Sequence, residues 1–320
     1  MFIRPRMRLA PDNTTFRFMN GRIAGLVVSA ILSTASVVLF FYPGLNLGID
    51  FSGGIVMEVR TDGPADFQKI RAALSEEHIQ DQGVQRFGDD STVLIRLPTQ
   101  PTEAGTQVAV SKVRSALENS IQGAKIVRVD AVGASVSSEL FHNGLYALGI
   151  SLLMILAYIW FRFEWQFAVG AVVTLILDVT KAIGFLALTR IEFDLVMVAA
   201  ILTVLGYSTN DKVVVYDRVR ENLRKYKVMP LRDLIDLSIN ETLNRTLGTS
   251  MTVFLASLPL ALFGGASISG FAWVMLFGIV VGTSSSIFIA APILLFLGEK
   301  RLRRDTAAVE APAPSAAPRS

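Results

Sequence analysis

The sequence predicts an α-helical polytopic membrane protein with six transmembrane helices and a small α+β ferredoxin-like (βαββαβ) domain between helices 1 and 2. Three observations carry this reading. The 320 residues are 52% hydrophobic and the mean hydropathy is +0.49, too apolar for an ordinary soluble domain. The apolar residues fall in long blocks, interrupted by one stretch, 44–139, in which charges of both signs are evenly spread. Basic residues crowd beside alternate block ends, as the positive-inside rule requires of a multi-span chain.

Residues 1–22 are polar and carry Arg4, Arg6, Arg8, Arg17 and Arg22. They read as a cytoplasmic segment. Residues 23–43 form an uncharged apolar run of bilayer-crossing length. A signal peptide competes for this run, but it is long for one and no A-x-A-like site follows. It is therefore expected to stay as span 1.

Residues 44–139 are expected to fold on the far side of the membrane, in the periplasm. Ile55–Arg60, Gly83–Arg86, Thr92–Leu97 and Ala124–Val129 read as strands, and 66–78 and 108–117 as helices. The order β-α-β-β-α-β is the split βαβ arrangement.

From residue 140 a five-helix transmembrane bundle extends to 298, with spans at about 140–161, 166–189, 194–216, 246–263 and 271–297. Residues 217–245 are charged, helical in pattern and expected to form a cytoplasmic loop. No charged residue occurs between Thr246 and Gly298. Residues 299–320 are basic, then rich in Ala and Pro, and read as a disordered cytoplasmic tail. Six spans leave both termini on the cytoplasmic side. That side receives the basic loops, while the opposite short turns carry only Arg190.

The net charge of +3 and the absence of a basic-aromatic motif argue against a nucleic-acid partner. With no Cys, disulfides and thiolate sites are excluded. Two His residues are too few for a His-based metal centre.

Ionisable residues inside spans are costly and mark function by default. Asp178 lies near the middle of the third span, with Lys181 three residues on and on nearly the same helical face. Two readings fit the pair: self-neutralisation kept for packing, or a proton-coupling element. Asp211, flanked by Asn210 and Lys212, lies roughly 24 Å along the fourth span at 1.5 Å per residue. It is either the end of that span, with Lys212 snorkelling, or a site that loads a proton. Arg245 precedes the uncharged fifth span. Placed opposite Asp211, it would switch that carboxylate between ion-paired and protonated states. Gly206 and Ser208 let a neighbouring helix approach closely, and Thr283, Ser284, Ser285 and Ser286 are expected to serve close packing. The loop Leu45–Gly54 carries Gly48, Asp50, Gly53 and Gly54, and reads as a docking turn or as a hinge.

Five stretches then coincide with a known pattern: Gly48-Ile-Asp-Phe-Ser-Gly-Gly54, Gly206-Tyr-Ser-Thr-Asn-Asp211, Val213–Asn222, Asn244-Arg-Thr-Leu247 and Phe263-Gly-Gly265. With these the chain resembles the SecF family of bacterial protein-export subunits, in the resistance-nodulation-division superfamily. The resemblance implies a non-enzymatic inner-membrane subunit that pairs with SecD. It also implies SecYEG and YajC as neighbours, and a translocating unfolded polypeptide as the object moved. It implies no cofactor beyond the proton gradient, late ATP-independent work driven by the proton-motive force, and Asp211 and Arg245 as proton-coupling residues. The family often reads His-Asp where this chain has Leu177-Asp178. Lys181 and Lys212 fall where many members are uncharged and would tune the neighbouring carboxylates. On this basis Lys212→Thr is expected to be better tolerated than Asp211→Asn.

Three other functions fit parts of the pattern. Half of a proton-driven small-molecule or lipid transporter would need a larger outer domain with an apolar cleft. An intramembrane aspartyl protease would need Asp178 and Asp211 to share a proton. A passive scaffold would need no ionisable residue at all.

Overall fold

The computed structural model describes residues 14–76, 83–100, 102–121 and 123–297. Arg4, Arg6, Arg8, His78 and the tail from 298 onward lie outside the described residues.

Among the described residues six helices are long and apolar enough to cross a membrane: α1 (Arg22–Phe41), α5 (Ala134–Arg162), α6 (Trp165–Thr189), α7 (Leu195–Lys225), α8 (Leu231–Phe263) and the segment Ile268–Leu297. The last comprises α9 (Gly265–Ser285), a π-helical turn at Ser286–Ala290 and α10 (Ala291–Leu297). The wide turn comes just before Pro292, which cannot donate a backbone N–H. The Ala290 carbonyl in this turn accepts from the Tyr216 hydroxyl at 3.2 Å.

Between α1 and α5 lie β1 (Asn46–Leu47), α2 (Ile49–Ser52), β2 (Gly54–Arg60), α3 (Phe67–Glu76), β3 (Gly83–Arg86), β4 (Thr92–Leu97), α4 (Glu103–Ser120) and β5 (Lys125–Val132). The sheet order is β3-β4-β2-β5, with every neighbour antiparallel. Ile55, Met57 and Val59 alternate along β2 onto the face covered by the two helices, where they meet Leu74 and Leu117. Val56 and Glu58 face the other way, toward the turn between α6 and α7. The domain thus has its own core, separate from that of the bundle.

Burial ranks the spans. In their most apolar stretches α7 is 56% buried and α6 50%, against 11% for α5 and 17% for α1. The inner helices approach closely at small residues: a Cβ on Gly278 of α9 would lie 2.3 Å from the Val204 side chain of α7.

Over 217–245, read from the sequence as charged and helical in pattern, the structure is helical on both sides of a short turn. Helix α7 continues to Lys225 and α8 begins at Leu231, so only a short connection separates them. The polar residues continue the helices because they pair on them and between them. Arg218 meets Glu221 three residues on and Glu241 across the hairpin, and Asn222 bonds Ser238. A change in hydropathy marks where a helix leaves the apolar layer, not where its backbone bonds stop.

Candidate functional site

Three inner helices bring their polar residues together inside the bundle. On α6, Asp178 is 2% exposed. Its Oδ2 accepts from Ser208 Oγ of α7 at 2.8 Å, from Lys212 Nζ of α7 at 2.9 Å and from Ser285 Oγ of α9 at 2.8 Å. Lys181 Nζ stands 3.8 Å from Asp178 Oδ1, an ion pair without a hydrogen bond. Lys212 also donates to Ser208 Oγ, one turn back on its own helix, and to Ser285 Oγ at 3.3 Å.

Asp211 sits on the adjacent face of α7, 1% exposed. Its Oδ2 accepts from Thr283 Oγ1 at 3.3 Å. Thr283 is 2.8 Å from Ser250 Oγ of α8, which accepts from the Tyr207 hydroxyl at 2.7 Å. Tyr207, Ser250, Thr283 and Asp211 thus form one hydrogen-bonded chain across three helices. The geometry follows from helix periodicity. Thr283 and Ser285 are two residues apart, hence on opposed faces of α9, so one hydroxyl reaches Asp211 while the other reaches Asp178.

Several sequence expectations meet this geometry. Lys212 does not snorkel. It is 1% exposed and turned inward, so the end-of-span reading of Asn210-Asp211-Lys212 is overturned. The first partner of Asp178 is Lys212 across the helix interface, with Lys181 of its own helix farther off. Thr283 and Ser285, expected to serve packing, are hydrogen-bond donors to the two carboxylates. The same donors speak against a protease dyad: Asp178 Oδ2 already receives three of them, and among the described residues no hydrogen bond joins Asp178 to Asp211. Asn210 is exposed on α7 and Arg245 is exposed on α8. Among the described residues no ion pair joins Arg245 to Asp211. Sequence reasoning passed over Tyr207, Ser208 and Ser250 as partners. Only the i, i+4 spacing of Ser208 and Lys212 signalled a shared target.

A second constellation ties the α+β domain to the bundle. β1 pairs in parallel with β6 (Glu192–Phe193) in the turn between α6 and α7, and Gly48 N donates to Phe193 O at 2.9 Å. Asp50 Oδ2 accepts from Leu195 N at 3.1 Å and Asp194 Oδ1 from Met197 N at 2.9 Å. Two carboxylates therefore satisfy free N–H groups at the start of α7. Burial, with the nearby charges of Asp50 and Glu192, pushes the Asp194 carboxyl above its ordinary range. Gly53 and Gly54 have φ of +69° and +117°, backbone states open chiefly to glycine. Arg96 of β4 pairs with Glu192 and donates to Leu47 O at 3.2 Å. The Leu45–Gly54 loop is docked in this structure.

Arg96 apart, both constellations fall within stretches that match known families. Residues 112–300 match the family described as protein export membrane protein SecD/SecF, C-terminal, and residues 38–65 match the SecD/SecF GG motif. The protein translocase subunit SecF of Rickettsia bellii is 42% identical over 299 residues, covering 93% of this chain and 98% of its own. That of Rhodobacter capsulatus is 41% identical over 309 residues, covering 92% and 93%. The crystal structure of SecDF, a translocon-associated membrane protein from Thermus thermophilus, superposes with a TM-score of 0.82 at 30% identity over 92% of this chain. SecDF in a super-membrane-facing form gives a TM-score of 0.65 at 31% identity. This chain spans 40% and 42% of those two SecDF chains. With its six apolar helices, its docked glycine loop and this likeness over nearly its whole length, the chain is a multi-pass membrane protein that belongs to the SecD/SecF family of protein-export membrane proteins.

Proposed function

We propose that this protein is the SecF-type half of a SecD-paired export unit. It uses the proton-motive force to draw secreted polypeptides across the bacterial inner membrane, late and without ATP. SecYEG and YajC are its neighbours, both termini are cytoplasmic, and the ferredoxin-like domain lies in the periplasm. No catalytic chemistry is involved. The buried Asp178–Lys212 pair carries the reading. A carboxylate and an ammonium away from water hold two helices together only while both are charged. Protonating Asp178 abolishes the charge–charge attraction and frees Lys212, so α7 is released to shift against α6 and α9. Asp211 and its hydroxyl chain supply a second protonatable group on the same moving helix. Arg245, one helix away and exposed, is the cation that such a shift brings toward Asp211.

The transporter alternative needs an apolar cleft. The cleft between the open sheet face and the α6–α7 turn is mixed instead: Glu58, Arg128 and Glu192 line it beside Val56, Leu94, Met197 and Trp273, so it is not a dedicated apolar pocket.

The test is export by vesicles containing this protein and its SecD partner, with and without an imposed proton gradient. Wild type should show gradient-stimulated completion of export, and Asp211→Asn and Asp178→Asn should lose the stimulation while keeping ATP-driven initiation. Export indifferent to the gradient in all three proteins would sink the proton mechanism. Full stimulation in both variants would reduce the chain to a scaffold.

A further inference from the structure

At the end of the bundle away from the α+β domain, Asp217, Arg220, Glu221 and Arg224 recur at helical spacing on α7 and face Arg162 at the end of α5. With Lys225 they line a cavity of about 480 Å³, within the size range of small-ligand sites. Four cations meet two carboxylates there, and the carboxylates are engaged. Asp217 receives Arg162 at 2.8 Å on each oxygen. Glu221 is held by Arg218, which lies outside the cavity. Arg220 pairs with Glu164 at 3.2 Å. Arg224 and Lys225 are exposed, and among the described residues no ion pair involves either.

The cavity opens beside the exposed apolar face of α5, the least buried of the described spans. Along α5, Ile150, Leu153, Met154, Tyr158 and Phe161 lie on one exposed strip that ends at Arg162, and Phe161 is 92% exposed. Trp160 and Trp165, also exposed, bracket Arg162. Aromatic residues at a span end mark headgroup depth, so the cations sit where lipid phosphates lie.

We propose that this cavity binds the headgroup of an anionic phospholipid whose acyl chains run along α5. The phosphate is met by Arg224 and Lys225, with Arg220 and Arg162 behind them. A zwitterionic lipid brings its own cation into a site already in positive excess and binds less well. A soluble phosphate would use the same cations but gain nothing from the α5 strip. The proposal depends on the membrane placement of α5 and not on proton coupling.

The test uses the full chain carrying Trp273→Phe, which leaves Trp160 and Trp165 as the only indoles. The protein is reconstituted in phosphatidylcholine vesicles, and quenching by phosphatidylglycerol with brominated acyl chains is compared with that by equally brominated phosphatidylcholine. Phosphatidylglycerol should quench at lower mole fraction. That preference should fall by roughly fivefold for each cation removed in Arg224→Gln and Arg224→Gln/Lys225→Gln, and survive Lys227→Gln, which lies outside the cavity. Equal quenching by the two lipids would overturn the proposal, as would a preference retained in the double variant. An equal loss in Lys227→Gln would reduce the effect to diffuse surface charge. Abolition by millimolar inorganic phosphate at constant ionic strength would assign the cavity to a soluble anion instead.

Discussion

Lys212 Nζ lies 2.9 Å from Asp178 Oδ2, across the interface of α7 and α6, with both side chains at most 1% exposed. Asp211, its chain neighbour, faces α9 instead. One turn of α7 therefore sends a cation into one buried network and a carboxylate into another.

The pair makes Lys212→Thr a damaging change for stability, a cost that the ranking of Lys212→Thr against Asp211→Asn drawn from sequence alone did not include. Removing one member of a buried ion pair strands the other and costs about 3–5 kcal/mol. Lys181, at 3.8 Å and without a hydrogen bond, offsets part of this. Thermal unfolding in detergent should show Lys212→Thr well below wild type. Asp178→Asn/Lys212→Met should cost less than the sum of the two single changes, because neither member of the pair is stranded by loss of the other, while Lys181 loses the Asp178 carboxylate in any variant that lacks it. Additive losses in the double variant would refute the pairing.

Gly54 should not accept a side chain. Its φ is +117° and an added Cβ would stand 2.6 Å from the Leu97 carbonyl oxygen. Gly54→Ala is expected to cost about 1–3 kcal/mol and to loosen the pairing of β2 with β4 and β5. Gly133→Ala, where a Cβ meets nothing within 4 Å, should be near neutral. Hydrogen exchange of the β2 amides distinguishes the two, and equal protection in both variants would contradict the strain argument.

Gly184 sets the spacing of α1 on α6. A Cβ there would lie 2.1 Å from Ser36 Oγ and 2.7 Å from Ser36 Cα, so the α1 backbone itself must move. Gly184→Ala should destabilise by about 1–3 kcal/mol. Gly149→Ala, in open space on α5, should be neutral or favourable by up to about 1 kcal/mol through helix propensity. The melting temperature should fall in Gly184→Ala and hold or rise in Gly149→Ala, and an equal fall in both would argue against the close approach.

Asp194 should make folding less favourable as pH rises. Its carboxyl is held above the ordinary value of 3.8, chiefly by burial. Between the unfolded and folded pKa values the folded state binds more proton, so stability declines with rising pH through that window. Asn retains the helix cap without the charge. The stability of wild type relative to Asp194→Asn should therefore decrease as pH rises from about 4 through the raised pKa of the folded state. A difference that is flat or increases over that range would show that the charge is not desolvated.

The sequence alone determined the six apolar spans, the α+β insertion and its strands, and the list of ionisable residues inside the membrane. Those features are written in local composition and periodicity, and hydropathy over a span is a sum that needs no partner. Tertiary structure decided who meets whom. Asp178 and Lys212 are 34 residues apart, and no local pattern says that Lys212 turns toward α6 while Asp211 turns toward Thr283. That outcome depends on the rotation of α7 between its neighbours, fixed by close packing at Gly278 and by the polar bonds themselves. The same holds for 217–245, whose helical pattern was legible while its pairing across the hairpin was not. Helical hydrogen bonds are local, but the pairing of Arg218 with Glu241 and of Asn222 with Ser238 that sustains both helices beyond the apolar layer exists only once the hairpin has closed.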